Sequence, residues 1–265
     1  MDGILKAVFA AATVWVVMAV ARRSGRRWAG VCAALPIITA PTLAWLIHER
    51  GLGFAVSAAI ASVSACAMLA CFSVGYALAS RHCGRLWALL CGLAGALALG
   101  WPAVAASGSL SDALMLGLGC SVLALLCIPR SAYEAVARPR PHRSLAWAAL
   151  AAGSITALAA SAGPTFGSFA TGLLASLPVI SAAVAMVEHA HGGHRACSNF
   201  LHGYAWGLLG KAAFGAAFVL LAPHVGGLAA LALACACAGL MSLVSPRGLR
   251  LLMPSHAGCP GRGQG

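Results

Sequence analysis

The chain has 265 residues, of which 61% are hydrophobic and 8% charged, with a mean hydropathy of +0.91 and a formal charge of +12. That balance leaves too little polar surface to cover a water-soluble globule of this size. It also argues against a nucleic-acid-binding face, because the arginines fall in short clusters between apolar stretches and not on one surface.

Nine apolar stretches follow one another, each near the ~20 residues that a helix needs to cross a hydrocarbon core ~30 Å thick. They are Ile4–Val20, Ala29–Ile47, Phe54–Ala79, Leu86–Ala106, Asp112–Ile128, Leu145–Ala162, Phe169–Val187, Cys197–Leu221 and Val225–Val244. Ala-rich runs such as Leu228 to Met241 have no period of two, which excludes a transmembrane barrel. The expected fold is therefore all-α, a polytopic membrane protein of nine helices.

The first stretch ends in Ala19-Val20-Ala21, which resembles a signal-peptide cleavage site. Its positive charges are on the wrong side: Arg22, Arg23, Arg26 and Arg27 follow the apolar run, and Lys6 stands nearly alone before it. It is expected to remain as a helix. The second stretch carries Leu35-Pro36 near its middle, with Thr39 one turn on and Pro41 beyond. A proline there removes a backbone donor and frees carbonyls that a neighbour, water or a solute must satisfy, and Pro41 predicts a second break. His48-Glu49-Arg50 ends this stretch as an interfacial charge cluster.

The seventh stretch repeats the arrangement with Leu177-Pro178 and Ser181. After it comes Glu188-His189-Ala-His191-Gly-Gly-His194, where Gly192-Gly193 predicts a turn, with Asn199 and His202 following. Histidine titrates near neutrality, so Glu188, His189 and His202 are candidates for coupling or proton relay. Their spacing is not that of a helical zinc site, and neither a metal nor another cofactor is expected. The eighth stretch carries Gly203, Gly207 and Gly210, a surface for close helix packing, and then Lys211 near mid-membrane. A lysine there needs an acidic partner, a water-filled cavity or an anionic ligand, and Glu188 is the candidate mate. Tryptophans 28, 45, 87, 101 and 147 fall near stretch ends, as interfacial anchors do. The cysteines lie mostly inside apolar stretches and read as buried free thiols.

Lysine and arginine set the orientation. Of the 17, Arg22, Arg23, Arg26, Arg27, Arg81, Arg85, Arg130, Arg138, Arg140, Arg143, Arg195, Arg247, Arg250 and Arg262 fall on one side, against Lys6 and Arg50 on the other. The expectation is a multi-pass protein of the inner (cytoplasmic) membrane with its N-terminus outside and its C-terminus in the cytoplasm.

At an offset of 142 residues, Gly30-Val-Cys-Ala-Ala-Leu-Pro-Ile-Ile-Thr-Ala40 aligns with Gly172-Leu-Leu-Ala-Ser-Leu-Pro-Val-Ile-Ser-Ala182. The same shift places the first stretch on the sixth, the third on the eighth, the fourth on the ninth and Gly51 on Gly193. The single membrane domain thus divides into a five-helix repeat (residues 1–130) and a four-helix repeat (143–247), with 248–265 expected as a disordered cytoplasmic tail. Five crossings are odd, so the second copy runs in the opposite sense and the repeats are inverted. Such a pair has two near-equivalent packings, one open to each side.

This doubled five-helix plan resembles bacterial secondary carriers of the drug/metabolite-transporter kind, which have ten helices in two inverted halves. The resemblance is architectural, and this chain departs from it in having nine helices and an outside N-terminus. It implies transport of a small organic solute by alternating access but transfers no residue roles; the matched Leu-Pro breaks and the mid-membrane lysine make Pro36, Thr39, Pro41, Pro178, Ser181 and Lys211 the expected solute-binding set. The expected partners are the lipid bilayer and that solute; a homodimer is compatible with the sequence. A non-transporting scaffold or accessory subunit would carry a similar sequence. A membrane-embedded enzyme is disfavoured, because the five acidic residues are unpaired in sequence and no Asp-rich or His-Glu-x-x-His motif occurs.

Overall fold

In a computed structural model, the structure describes residues 26–36, 39–106, 108–129 and 177–252, with a few isolated positions besides. The first and sixth apolar stretches, and the first half of the seventh, lie outside the described residues. Among the described residues the chain is all-helical, with no strand. In chain order the helices are α1 (Arg26–Ala34), α2 (Thr39–Arg50), α3 (Leu52–Ala79), α4 (Arg85–Gly95), α5 (Trp101–Ala106), α6 (Leu110–Cys127), α7 (Val179–Val225) and α8 (Gly227–Leu252). Four apolar stretches are long enough to cross a membrane: Arg26–Arg50, Leu52–Ala79, Leu110–Cys127 and Ser181–Val225. Arg85–Gly100 and Gly227–Met241 are shorter apolar helices.

The interruptions have local causes. Between α1 and α2, Pro36 has no N–H to continue the ladder, and the Leu35 amide is shared between the carbonyls of Val31 at 3.2 Å and Cys32 at 3.3 Å. Pro41, expected as a second break, makes none. It stands in the first turn of α2, where an amide has no intrahelical acceptor and proline is tolerated. The fourth apolar stretch, expected as one helix, instead widens over Ala96–Gly100 into a π segment in which the Trp101 amide bonds the Ala96 carbonyl. Pro102 follows, and its missing donor fits a local change in the ladder. Gly193, at φ 67° and ψ −169°, interrupts α7. A helix of 47 residues is about twice what one crossing needs, and this break divides it into two arms. Gly51, at φ 86°, separates α2 from α3 in the same manner. A side chain at either glycine would meet the steric penalty of the left-handed region. Helix α8 runs to Leu252, past the expected end at Val244 and into the segment expected as a tail, since a helix need not stop where hydrophobicity does.

Both arms of α7 are central: α7 packs against α1, α3, α6 and α8. The approach to α1 is backbone on backbone. A Cβ on Gly30 would stand 2.1 Å from the Phe200 carbonyl oxygen, one on Gly203 2.1 Å from that of Arg27, and one on Gly207 2.6 Å from that of Val31. Only glycine permits this closeness, and close approach maximises dispersion contact where the surrounding lipid is as apolar as the helices. One apolar cluster gathers Phe72, Tyr76, Phe200 and Leu208; another gathers Leu43, Leu46, Phe214 and Phe218. Leucines and methionines of α4, α6 and α8 such as Leu90, Met115 and Leu228 face outward, as the lipid-facing side of a membrane protein does. The described cysteines are free, as expected, but only Cys66 and Cys197 are buried, whereas Cys91, Cys127, Cys235 and Cys237 are exposed on those outward faces.

Candidate functional site

Helix register brings Lys211 to the level of the first proline break. Gly203 meets Arg27, and Gly207 meets Val31 and Ala34, so α1 and the second arm of α7 run parallel. Gly203, Gly207 and Lys211 recur every four residues, on one side of the arm. The next step past Gly207 therefore reaches Lys211 at the level of Leu35-Pro36, where α1 has ended. On the far side of Lys211, Phe214 and Phe218 share a cluster with Leu43 and Leu46 of α2. Lys211 is 6% exposed, and its ammonium interacts electrostatically with the Cys66 thiol of α3.

At the second break, Pro178 caps the N-terminus of α7. The Ser181 hydroxyl donates to the Pro178 carbonyl at 3.1 Å, and Ser181 also stands close enough to Tyr204 on the second arm to interact with its hydroxyl. Tyr204, which the sequence reading missed, thus ties the break to the helix bearing Lys211. Pro36, Thr39, Pro178 and Ser181 are all buried, and Pro41 is partly so. Thr39 and Ser181 do not hydrogen-bond each other; the Ser181 hydroxyl turns to Pro178 and Tyr204.

Glu188 is not the mate of Lys211. Its carboxylate accepts from Arg26 Nε at 2.9 Å, an ion pair whose side chains are 9% and 1% exposed. The correction follows from depth: Glu188 ends the first part of α7 near the Gly193 break, level with the start of α1, while Lys211 lies well inside the second arm. The Arg26 guanidinium also lies over the break, its Nη2 3.2 Å from where a Gly192 Cβ would stand. The adjacent His189 turns to α3 instead, with Nδ1 3.5 Å from the Tyr76 hydroxyl and the two rings edge to face at 6.0 Å. Arg85, at the start of α4, interacts electrostatically with both Tyr76 and His189. His202 is buried on the second arm, while His191 and His194 are exposed. At the opposite end, His48, Glu49 and Arg50 are exposed, Trp45 Nε1 donates to the Glu49 carboxylate, and Arg50 stands 6.0 Å above the Phe54 ring. Among the described residues no three His, Cys, Asp or Glu side chains gather as metal ligands would.

Two polar places thus stand inside an apolar bundle: the level of the breaks, with one buried ammonium, and the arginine-rich end, with one buried ion pair. Sequence reasoning named the prolines, Thr39, Ser181 and Lys211 of the first but not Tyr204. It missed Arg26 and Tyr76 in the second, because their partners lie 162 and 113 residues away and no short-range pattern links them. Comparison with known proteins brings no match: no family model, no curated protein and no solved structure aligns with the chain.

Proposed function

We propose that the protein is a secondary carrier that moves a small organic solute across the cytoplasmic membrane by alternating access, and that its nine helices form a five-plus-four inverted repeat. The observation that carries this reading is the return of backbone landmarks at the 142-residue offset. The Pro36 carbonyl accepts the Ala40 amide at 2.8 Å, and the Pro178 carbonyl accepts the Ala182 amide at 2.8 Å. Gly51 and Gly193 both take positive φ, at 86° and 67°. Helices start at Arg85 and at Gly227. The Cys66 thiol reaches the carbonyl of Leu208, its own counterpart at a separation of 142, at 3.9 Å. Equivalent positions that touch each other are what a two-fold axis between the copies requires.

Inverted halves broken at matched depth favour a binding site at those breaks. The new helix starts at Thr39 and Val179 turn positive dipole ends toward that level, and Lys211 adds a full charge. An anionic or proton-donating group on the solute would supply the counter-charge. The cytoplasmic location of the arginine-rich end, and the outside N-terminus, rest on the distribution of Lys and Arg. The test is uptake by proteoliposomes under imposed proton and sodium gradients, screened over organic acids first. Uptake that requires a gradient and is abolished by Lys211→Met supports the reading; no gradient-dependent uptake of any solute would leave a scaffold or accessory subunit in its place.

A further inference from the structure

We infer that Arg26–Glu188 and Tyr76–His189 together form a latch that closes the arginine-rich end of the bundle, a regulatory element that rests on the carrier reading above. Glu188 and His189 are neighbours on the last turn of α7 before Gly193, yet they are bound in different directions, one to α1 and the other to α3. The end of the first arm is therefore pinned at two points to helices of the other half. The Gly193 break beside them supplies the pivot, because an arm can swing at a position where the helical ladder is already interrupted.

The counterparts at the other end sharpen the point. Shifted by 142 residues, Glu188 and His189 correspond to Leu46 and Ile47, Tyr76 to Phe218, and Arg26 to Ser168. Leu46 and Phe218 belong to one buried apolar cluster, with Ile47 packed against it. One end of the molecule is thus held by charge and hydrogen bonds, the other by hydrocarbon. The difference decides which end responds to water. A buried ion pair gains little over its desolvation cost, so opening that returns both ions to water is nearly balanced. Removing one partner while the end stays shut breaks the buried pair between α1 and α7 from one side, and the closed state loses. The apolar end carries no buried ion pair to return to water.

The experiment reads accessibility and needs no solute, so it stands or falls apart from the uptake screen. In a cysteine-free background, Ala185→Cys places one thiol a turn inside the latch, at a position that is 0% exposed. Inside-out vesicles present the arginine-rich end to a membrane-impermeant methanethiosulfonate. Glu188→Gln should raise the labelling rate at least about tenfold, since breaking a buried ion pair from one side costs more than the equivalent of one decade. Tyr76→Phe should raise it less, and the exchange Arg26→Glu with Glu188→Arg should bring it back toward the starting rate. An unchanged rate in Glu188→Gln overturns the latch, as does a rise that the charge exchange leaves in place. If Glu188→Gln fails to accumulate in the membrane, Tyr76→Phe decides alone, and wild-type labelling there overturns the inference.

Discussion

Among the described residues, the backbone-on-backbone approach of α1 and α7 can be perturbed by one methyl group. In Gly203→Ala the new Cβ would stand 2.1 Å from the Arg27 carbonyl oxygen and 2.9 Å from its carbon. Ordinary contact begins near 3.4 Å, and the obstacle is backbone, so α1 and α7 must part by about 1 Å. A gap of that size forfeits a quarter to a half of each dispersion contact along the seam, and overpacking of this kind costs roughly 1–3 kcal/mol. Gly30→Ala meets the same seam at the Phe200 carbonyl. One parting of the helices relieves both clashes, so the double variant should cost about as much as the worse single one, well short of the sum. Thermal unfolding in a fixed detergent, followed by monodisperse peak height, measures all four corners of the cycle. Additive losses, or a Gly203→Ala variant as stable as the parent, would refute the claim that a single backbone seam joins these helices.

Reporter fusions after Arg27, Arg85, Arg143 and Arg195 are expected in the cytoplasm and those near Gly108, Gly163 and His224 outside; a cytoplasmic signal at Gly163 would break the five-plus-four plan. Pro36→Ala and Pro178→Ala should each reduce uptake without impairing membrane insertion, and full uptake by both would reduce the Leu-Pro pairs to packing kinks. Lys211→Met should abolish uptake yet keep or raise thermal stability, because a lysine at a helix centre costs roughly 2.5–3.5 kcal/mol on insertion scales; a lower melting temperature would show the ammonium to be structural. Gly51→Ala and Gly193→Ala place a Cβ at positive φ with open space around it, so each should lose about 1–2 kcal/mol from backbone strain alone, measured by the same melting assay.

What could be read along the chain was whatever depends on a residue and its near neighbours. The break at Leu35-Pro36, the helix start after Pro178 and the turn at Gly193 follow from a missing donor or a missing Cβ, which are properties of single residues. Pro41 misled because proline breaks a helix interior but not a first turn, and which of the two it occupies depends on where the preceding break falls. The partner of Glu188 was out of reach for a different reason. Depth along the membrane can be counted from the sequence, but which helix lies beside which is decided by packing, and Arg26 becomes the neighbour only because Gly30, Gly203 and Gly207 bring α1 against α7. The widened turn at Ala96–Gly100 is local but was hidden because hydropathy alone does not distinguish it from ordinary helix.

Helix α6 is attached differently from the others. It meets α3 and α7 through Ala113, Gly117, Ser121 and Ala124, a stripe of small side chains, and turns Met115, Leu123 and Leu126 outward. In water such a helix would be fixed by the apolar area it hides, but in a bilayer, acyl chains can take the place of that partner at little loss. Helix α6 is then an element readily exchanged for lipid. Bilayer thickness and acyl-chain packing act on the molecule most directly there.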